Sequence, residues 1–406
     1  MKNAYRWTFV VTGCLIYLFA GVIYAWSVIS SPIADEFQNW TAAQLSTTFS
    51  IVMITFCIGS TGIGFLAGKV RPYISLWFAA ALFTAGFYMS ARTTSPITLY
   101  IGFGVLCGIA SGITYNVVLS TATNLFPEKQ GFISGVLLMA FALGSFILGK
   151  VYQAYTPDAI GAWRDSFIIL GIATAAVVIA CSFFYMRIPD TSALPKAAQT
   201  AAASVVDVRT VDMLKDSKFW FFYIWAIVMT ACGLVMIAQA SGMATEVSDT
   251  LSANTIATVV GLISVFNGVG RIFVGKLFDR FGRNAAMIGC CVLFILTAFI
   301  MLITLKLHNV ALLVAGFAIA GLGYSCISPS CSAYAKASYG IKYYPVNYPL
   351  ITTNMAFSSP CATLAASLFD RSGSYVSTLL LIIAFSVVGI AGTVLINIVE
   401  RRNNAA

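Results

Sequence analysis

Charge is what this chain has least of: of its 406 residues only 9% are Asp, Glu, Lys or Arg, against 59% that are hydrophobic. A soluble domain carries about 25% charged residues, and a water-soluble globule of this length could not cover its surface with so few. The shortage excludes a soluble enzyme, a nucleic-acid binder and a disordered scaffold, and points to an all-α integral membrane protein. Histidine is reduced to His308, and the 10 cysteines contain no Cys-x-x-Cys pair and all fall in apolar stretches. No zinc, haem or disulfide framework fits that pattern, so neither metal nor cofactor is expected, and the cysteines read as small packing residues. A complete Gly-x-x-x-x-Gly-Lys-Ser/Thr loop and a Gly-x-Ser-x-Gly elbow are both missing, which removes support for ATP-driven pumping and for hydrolase chemistry.

What is present is a series of apolar stretches about 20 residues long, the length that crosses a hydrocarbon core. Six precede residue 190, near 7–30, 42–67, 74–93, 98–124, 131–154 and 164–187; six more lie beyond it, near 218–240, 254–278, 285–306, 309–335, 347–369 and 375–398. The first comes after Lys2 and Arg6 but is too long for a signal-peptide core, so it reads as a retained helix. The one long polar connector, 188–217, holds Pro189, Pro195 and an Ala/Ser/Thr run, as a flexible linker does. The expected organisation is an N-terminal six-helix half (1–187), a central cytoplasmic linker (188–217) and a C-terminal six-helix half (218–406). Net charge is +9, and with the N-terminus inside, 17 Lys and Arg residues lie on the cytoplasmic face against 5 outside (Arg92, Lys150, Arg164, Lys306 and Arg371). That excess puts both termini in the cytoplasm and matches the basic loops to anionic lipid of the bilayer, with no nucleic-acid partner.

The two halves repeat one another. Gly64-Phe65-Leu66-Ala67-Gly68-Lys69 closes the second stretch, and Gly275-Lys276-Leu277-Phe278-Asp279-Arg280-Phe281-Gly282-Arg283 closes the eighth. Gly102-Phe103 pairs with Gly316-Phe317 at a similar spacing of about 210 residues. Two pseudo-symmetric six-helix halves joined by a central loop, 12 helices in all, resemble the major facilitator superfamily, whose halves alternate access to a midplane site. The Gly275–Arg283 segment resembles the loop signature of that superfamily, which implies a conformational latch built on Gly275, Asp279, Arg280, Gly282 and Arg283. The first copy is degraded, with Gly68 where the acid belongs.

A further set of segments is similar to the oxalate/formate antiporter family. They are Gly21-Val22-Ile23-Tyr24-Ala25-Trp26, Tyr115 with Phe126-Pro127-Glu128-Lys129-Gln130-Gly131, Lys218-Phe219-Trp220, Phe266-Asn267-Gly268-Val269-Gly270-Arg271, and Asn347-Tyr348. The resemblance implies a substrate cavity lined by Tyr24, Trp26 and Tyr115. It also marks two departures: Met355 stands where the oxalate exchanger carries a lysine, and Phe141 where it carries a tyrosine. Read without the resemblance, Tyr24 and Trp26 equally suit an interfacial aromatic belt. Tyr324, Gln239 and Asn354 are further polar side chains inside spans, able to bond neighbouring helices.

Arg271 is the one basic residue assigned to neither face; it falls within the eighth span, about eight residues, or roughly 12 Å, above Asp279. An arginine at that depth costs at least about 2.5–3.5 kcal/mol, and the acids all fall in loops or at helix ends. A substrate carboxylate, gripped by the two-pronged guanidinium, is the expected compensation. One buried cation balances one carboxylate, so with Met355 in place of lysine the expected substrate is a small monocarboxylate of the formate, acetate, lactate or pyruvate class. Oxalate or another dicarboxylate is the alternative, and a membrane sensor on a transporter fold is the alternative of another class. The monocarboxylate transporters, a related family, carry an Asp one turn before their eighth-helix arginine; here that residue is Asn267, and exchange is favoured over proton symport through a dedicated acid. A prokaryotic inner membrane and a functional monomer complete the expectation.

Overall fold

A computed structural model of the chain describes residues 3–40, 42–157, 159–188, 207–248, 251 and 253–405. It is helical nearly throughout, and ten helical segments among the described residues are long and apolar enough to cross a membrane. The chain divides into two compact units, Met1–Asp207 with Gly340–Thr353, and Val208–Tyr339 with Asn354–Ala406. Most of the expected linker, 189–206, lies outside the described residues; its last part carries a short helix, Thr210–Lys215.

The first unit is built on α1 (Asn3–Ala20), α2 (Ala42–Phe65), α3 (Pro72–Ala91), α4 (Gly108–Asn124), α5 (Gln130–Tyr155) and α6 (Trp163–Ser182). Small residues set how closely these helices approach. Gly104, Gly108 and Gly112, one turn apart, all face α2: a Cβ on them would strike Ile51, Thr55 and the Phe56 carbonyl in turn. Gly21 and Gly144 do the same between α1 and α5, against the carbonyls of Phe141 and Leu18. At Gly21 the chain tightens from α1 into a 3-10 turn, Gly21–Ala25, and Ser111 of α4 donates to the Ala20 carbonyl at 3.0 Å.

The second unit holds α7 (Ser217–Val247), α8 (Ala253–Leu307), α9 (Val310–Ser325) and α10 (Ile327–Tyr339). The eighth and ninth expected spans both lie in α8, separated where Gly282 leaves the helix at φ 77° and ψ −178°. Only glycine takes that conformation without steric cost. The tenth expected span is divided at Cys326 into α9 and α10.

The eleventh stretch differs most from its sequence expectation. It forms three short helices, α11 (Tyr344–Thr352), α12 (Asn354–Ser358) and α13 (Pro360–Ser372), with the boundary between the two units at Thr353. Pro349 and Pro360 remove backbone donors, and Thr352 and Thr353 turn their hydroxyls onto the carbonyls of Pro349 and Leu350 at 2.8 and 2.6 Å. Proline plus back-bonding hydroxyls breaks the helical ladder. The chain ends in α14 (Val376–Ala405).

Candidate functional site

In the second unit, Arg271, Asn267 and Tyr324 come together. Arg271 is 8% exposed on α8, and its Nε donates to Asn267 Oδ1, one turn earlier, at 3.3 Å. Tyr324 of α9 is half-buried, next to Ser325, which faces Gly270 beside the arginine. Glycines make that approach possible. A Cβ on Gly270 would strike Ser325 of α9, and one on Gly321 would strike the Ile263 carbonyl of α8, so the two backbones touch at the level of the arginine. On the opposite flank, Gly233 of α7 leaves the space that the Tyr324 ring fills. Sequence reasoning found the cation and the phenol but not Gly233, Gly270 or Gly321, since a glycine does not name what it faces.

Met355 sits in α12, half-buried, just past the break in the eleventh stretch. Its neighbour Asn354 is buried, with Nδ2 3.8 Å from Cys331 Sγ of α10. Lys336 of α10, grouped by sequence with the cytoplasmic loops, is only 1% exposed, a second buried basic side chain in this unit.

In the first unit, Tyr24, Tyr115 and Phe141 form an aromatic cluster. Phe141 lies between the other two, with ring centroids 5.7 Å from Tyr24 and 5.2 Å from Tyr115. Three more rings complete it: Tyr17 and Phe56, which sequence reasoning left out, at 5.4 and 5.0 Å from Tyr115, and Tyr348 of α11, which it noted only within a family-like segment, with its hydroxyl 2.7 Å from that of Tyr115. The Tyr17 hydroxyl donates to the Tyr115 carbonyl. Tyr17 precedes Tyr24 by seven residues, two helical turns, so helical periodicity was a usable signal. Trp26 turns elsewhere: it is 5% exposed, its indole donates to the Leu45 carbonyl at 3.0 Å, and its ring packs 4.7 Å from Phe103. That geometry spends its polar edge on helix packing.

The Gly275–Arg283 segment is tied to the last helix. Arg283 donates to Glu400 through both terminal nitrogens, at 2.6 and 2.8 Å, and to Asn397 at 2.9 Å. Arg280 lies over the Phe281 ring at 5.1 Å. Asp279, Gly282 and Arg283 border a cavity of about 400 Å³ with Tyr334 of α10, and Gly275 lies two turns earlier on the same helix.

The family described as Major Facilitator Superfamily matches residues 8–344. The oxalate:formate antiporter of Oxalobacter formigenes is 25% identical over 284 residues, 70% of this chain and 65% of that protein. Monocarboxylate transporter 12 of Xenopus laevis is 27% identical over 144 residues, 34% of this chain and 30% of that one. Both matches span less than two thirds of the relative's length. Among solved structures, the proton:xylose symporter XylE, bound to 6-bromo-6-deoxy-D-glucose, aligns with a TM-score of 0.71 at 16% identity, covering 97% of this chain and 95% of that chain.

Proposed function

The chain belongs to the Major Facilitator Superfamily, a family of multi-pass membrane transporters, and on that premise we propose that it exchanges small monocarboxylates by alternating access. One observation carries the substrate class: a buried arginine in a spanning helix, held by Asn267 and set beside Tyr324. A guanidinium oriented by a neighbouring amide presents two parallel donors, which fits a carboxylate. The position that would bring a second cation from the eleventh stretch holds Met355, so a second carboxylate would be desolvated without a counter-charge from that side chain. Aromatic rings such as Tyr24, Tyr115 and Phe141 suit the short carbon skeleton. The excess of basic residues on one set of loops supports both termini in the cytoplasm, a 188–217 linker and a cell-membrane location. The reading takes the chain as a functional monomer.

Exchange of a dicarboxylate such as oxalate is the second reading. It is favoured by Lys336, a further buried basic side chain of the same unit, and by the name of the Oxalobacter relative. Counterflow in proteoliposomes loaded in turn with formate, acetate, lactate, pyruvate and oxalate, with wild type beside Arg271→Gln, separates the two. Monocarboxylate exchange that is lost in the variant supports the first reading. Exchange of oxalate alone supports the second. Ligand binding without any flux supports a sensor on a transporter fold and overturns both.

A further inference from the structure

A cavity of about 530 Å³ opens in the first unit, where the loop after α2 meets α4 and α11, and the rings of the aromatic cluster are not among its walls. Its walls include Lys69, Arg71, Asn116, Ser120, Asn124 and Pro345. We propose that this cavity binds the headgroup of an anionic phospholipid, a phosphodiester carrying a free hydroxyl, as in phosphatidylglycerol.

Three observations converge on that chemistry. The first is uncompensated positive charge. Lys69 and Arg71 are exposed, and neither forms an ion pair among the described residues. In the other copy of the loop, Arg283 is held by Glu400. The acid that the repeat would supply to the first copy is replaced by Gly68, whose Cβ position, at φ 80°, has nothing within 4 Å. The second is the polar wall. Asn116 spends its Nδ2 on the carbonyls of Ser60 and Pro345, at 2.6 and 2.8 Å, whereas Asn124 Oδ1 is sealed from solvent and has no hydrogen-bond partner. An unmet acceptor beside two cations fits a ligand that is anionic at one end and donates an O–H at the other. The third is the flank. Phe65 and Leu66, at the mouth of the loop, are large apolar side chains left 57% and 45% exposed. They offer acyl chains a surface at the depth where α2 ends and headgroups begin. A soluble phosphate would use the cations but neither the apolar flank nor the donor-seeking amide.

The test is native mass spectrometry of the purified full-length chain titrated with phosphatidylglycerol and, separately, phosphatidylcholine of the same acyl chains. Wild type should retain phosphatidylglycerol preferentially. Lys69→Gln/Arg71→Gln should weaken it by about thirtyfold, the compounded effect of two cations near a membrane surface, and leave phosphatidylcholine adducts as they were. Asn124→Leu should weaken phosphatidylglycerol but not phosphatidic acid, which lacks the glycerol hydroxyl. Arg401→Gln, a basic residue at the end of α14, should change nothing. Equal binding by wild type and the double variant overturns the proposal, as does an equal loss in Arg401→Gln, which would mean diffuse attraction. Displacement of phosphatidylglycerol by millimolar inorganic phosphate would reassign the cavity to a soluble anion and also overturn it.

Discussion

A guanidinium and an ammonium carry the same charge but do not grip a carboxylate alike. Arg271 sits in a frame that fixes its plane: Asn267 takes the Nε, and Tyr324 is packed into the gap left by Gly233. Arg271→Lys keeps the charge and loses the fork. The expected result is a fall of roughly tenfold or more in the exchange kcat/KM, read from initial counterflow rates, with the protein still folded. Trp26 predicts the opposite separation. Its indole donates to the Leu45 carbonyl, so Trp26→Phe should cost about 1 kcal/mol of stability, seen as a lower Tm in detergent. The substrate KM should stay within about twofold of wild type if the ring serves packing. The arginine was legible in the sequence because a charge inside an apolar run is conspicuous. The partner of Trp26 was not, because an aromatic near a span end looks the same whether it lines a cavity, anchors an interface or bonds a neighbouring helix.

At the scale of the helix, glycine placement separates what a sequence can say from what it cannot. The spacing of Gly104, Gly108 and Gly112 announces a close approach, and the partner, α2, emerges only in three dimensions. Gly112→Ala puts a methyl onto the Phe56 carbonyl and must push α2 and α4 apart. It should destabilise by about 1–3 kcal/mol. Gly62→Ala, on α2 itself, meets nothing within 4 Å and should be neutral or stabilising by up to about 1 kcal/mol, since alanine is the better helix former. Comparing Tm for the two variants checks the assignment; an equal gain in both would show that glycine at these sites acts through helix propensity and not through contact. The breaks in the eleventh stretch were hidden for a related reason. Its apolar content marks the stretch but not where it breaks, which turns on Pro349, Pro360 and the hydroxyls of Thr352 and Thr353 competing for carbonyls. Irregular backbone at membrane depth is tolerated where it lines a cavity or is buried in protein. Asn354 and Met355 follow directly on that break.

For the molecule as a whole, transport requires that binding and rearrangement be separable, and the latch offers a way to perturb one alone. Arg283 ties the turn at Gly282 to the final helix through Glu400 and Asn397. Asp279 and Arg280 belonged to a signature visible in the sequence, whereas Glu400 is 117 residues from Arg283 along the chain and had no local pattern to announce it. If this network sets the rate of alternation, Arg283→Gln should lower the maximal exchange rate by about tenfold, equivalent to about 1.4 kcal/mol on the barrier, with little change in KM. Glu400→Gln should do much the same, because each substitution breaks the same bidentate pair. The double variant should be no slower than Arg283→Gln alone, since residues within one network are non-additive. A latch that merely stabilised the fold would lower Tm in all three variants and leave the rate per folded molecule intact. Additive rate losses would mean that the two residues act through separate contacts, and a rise in KM would place the segment in substrate binding instead of rearrangement.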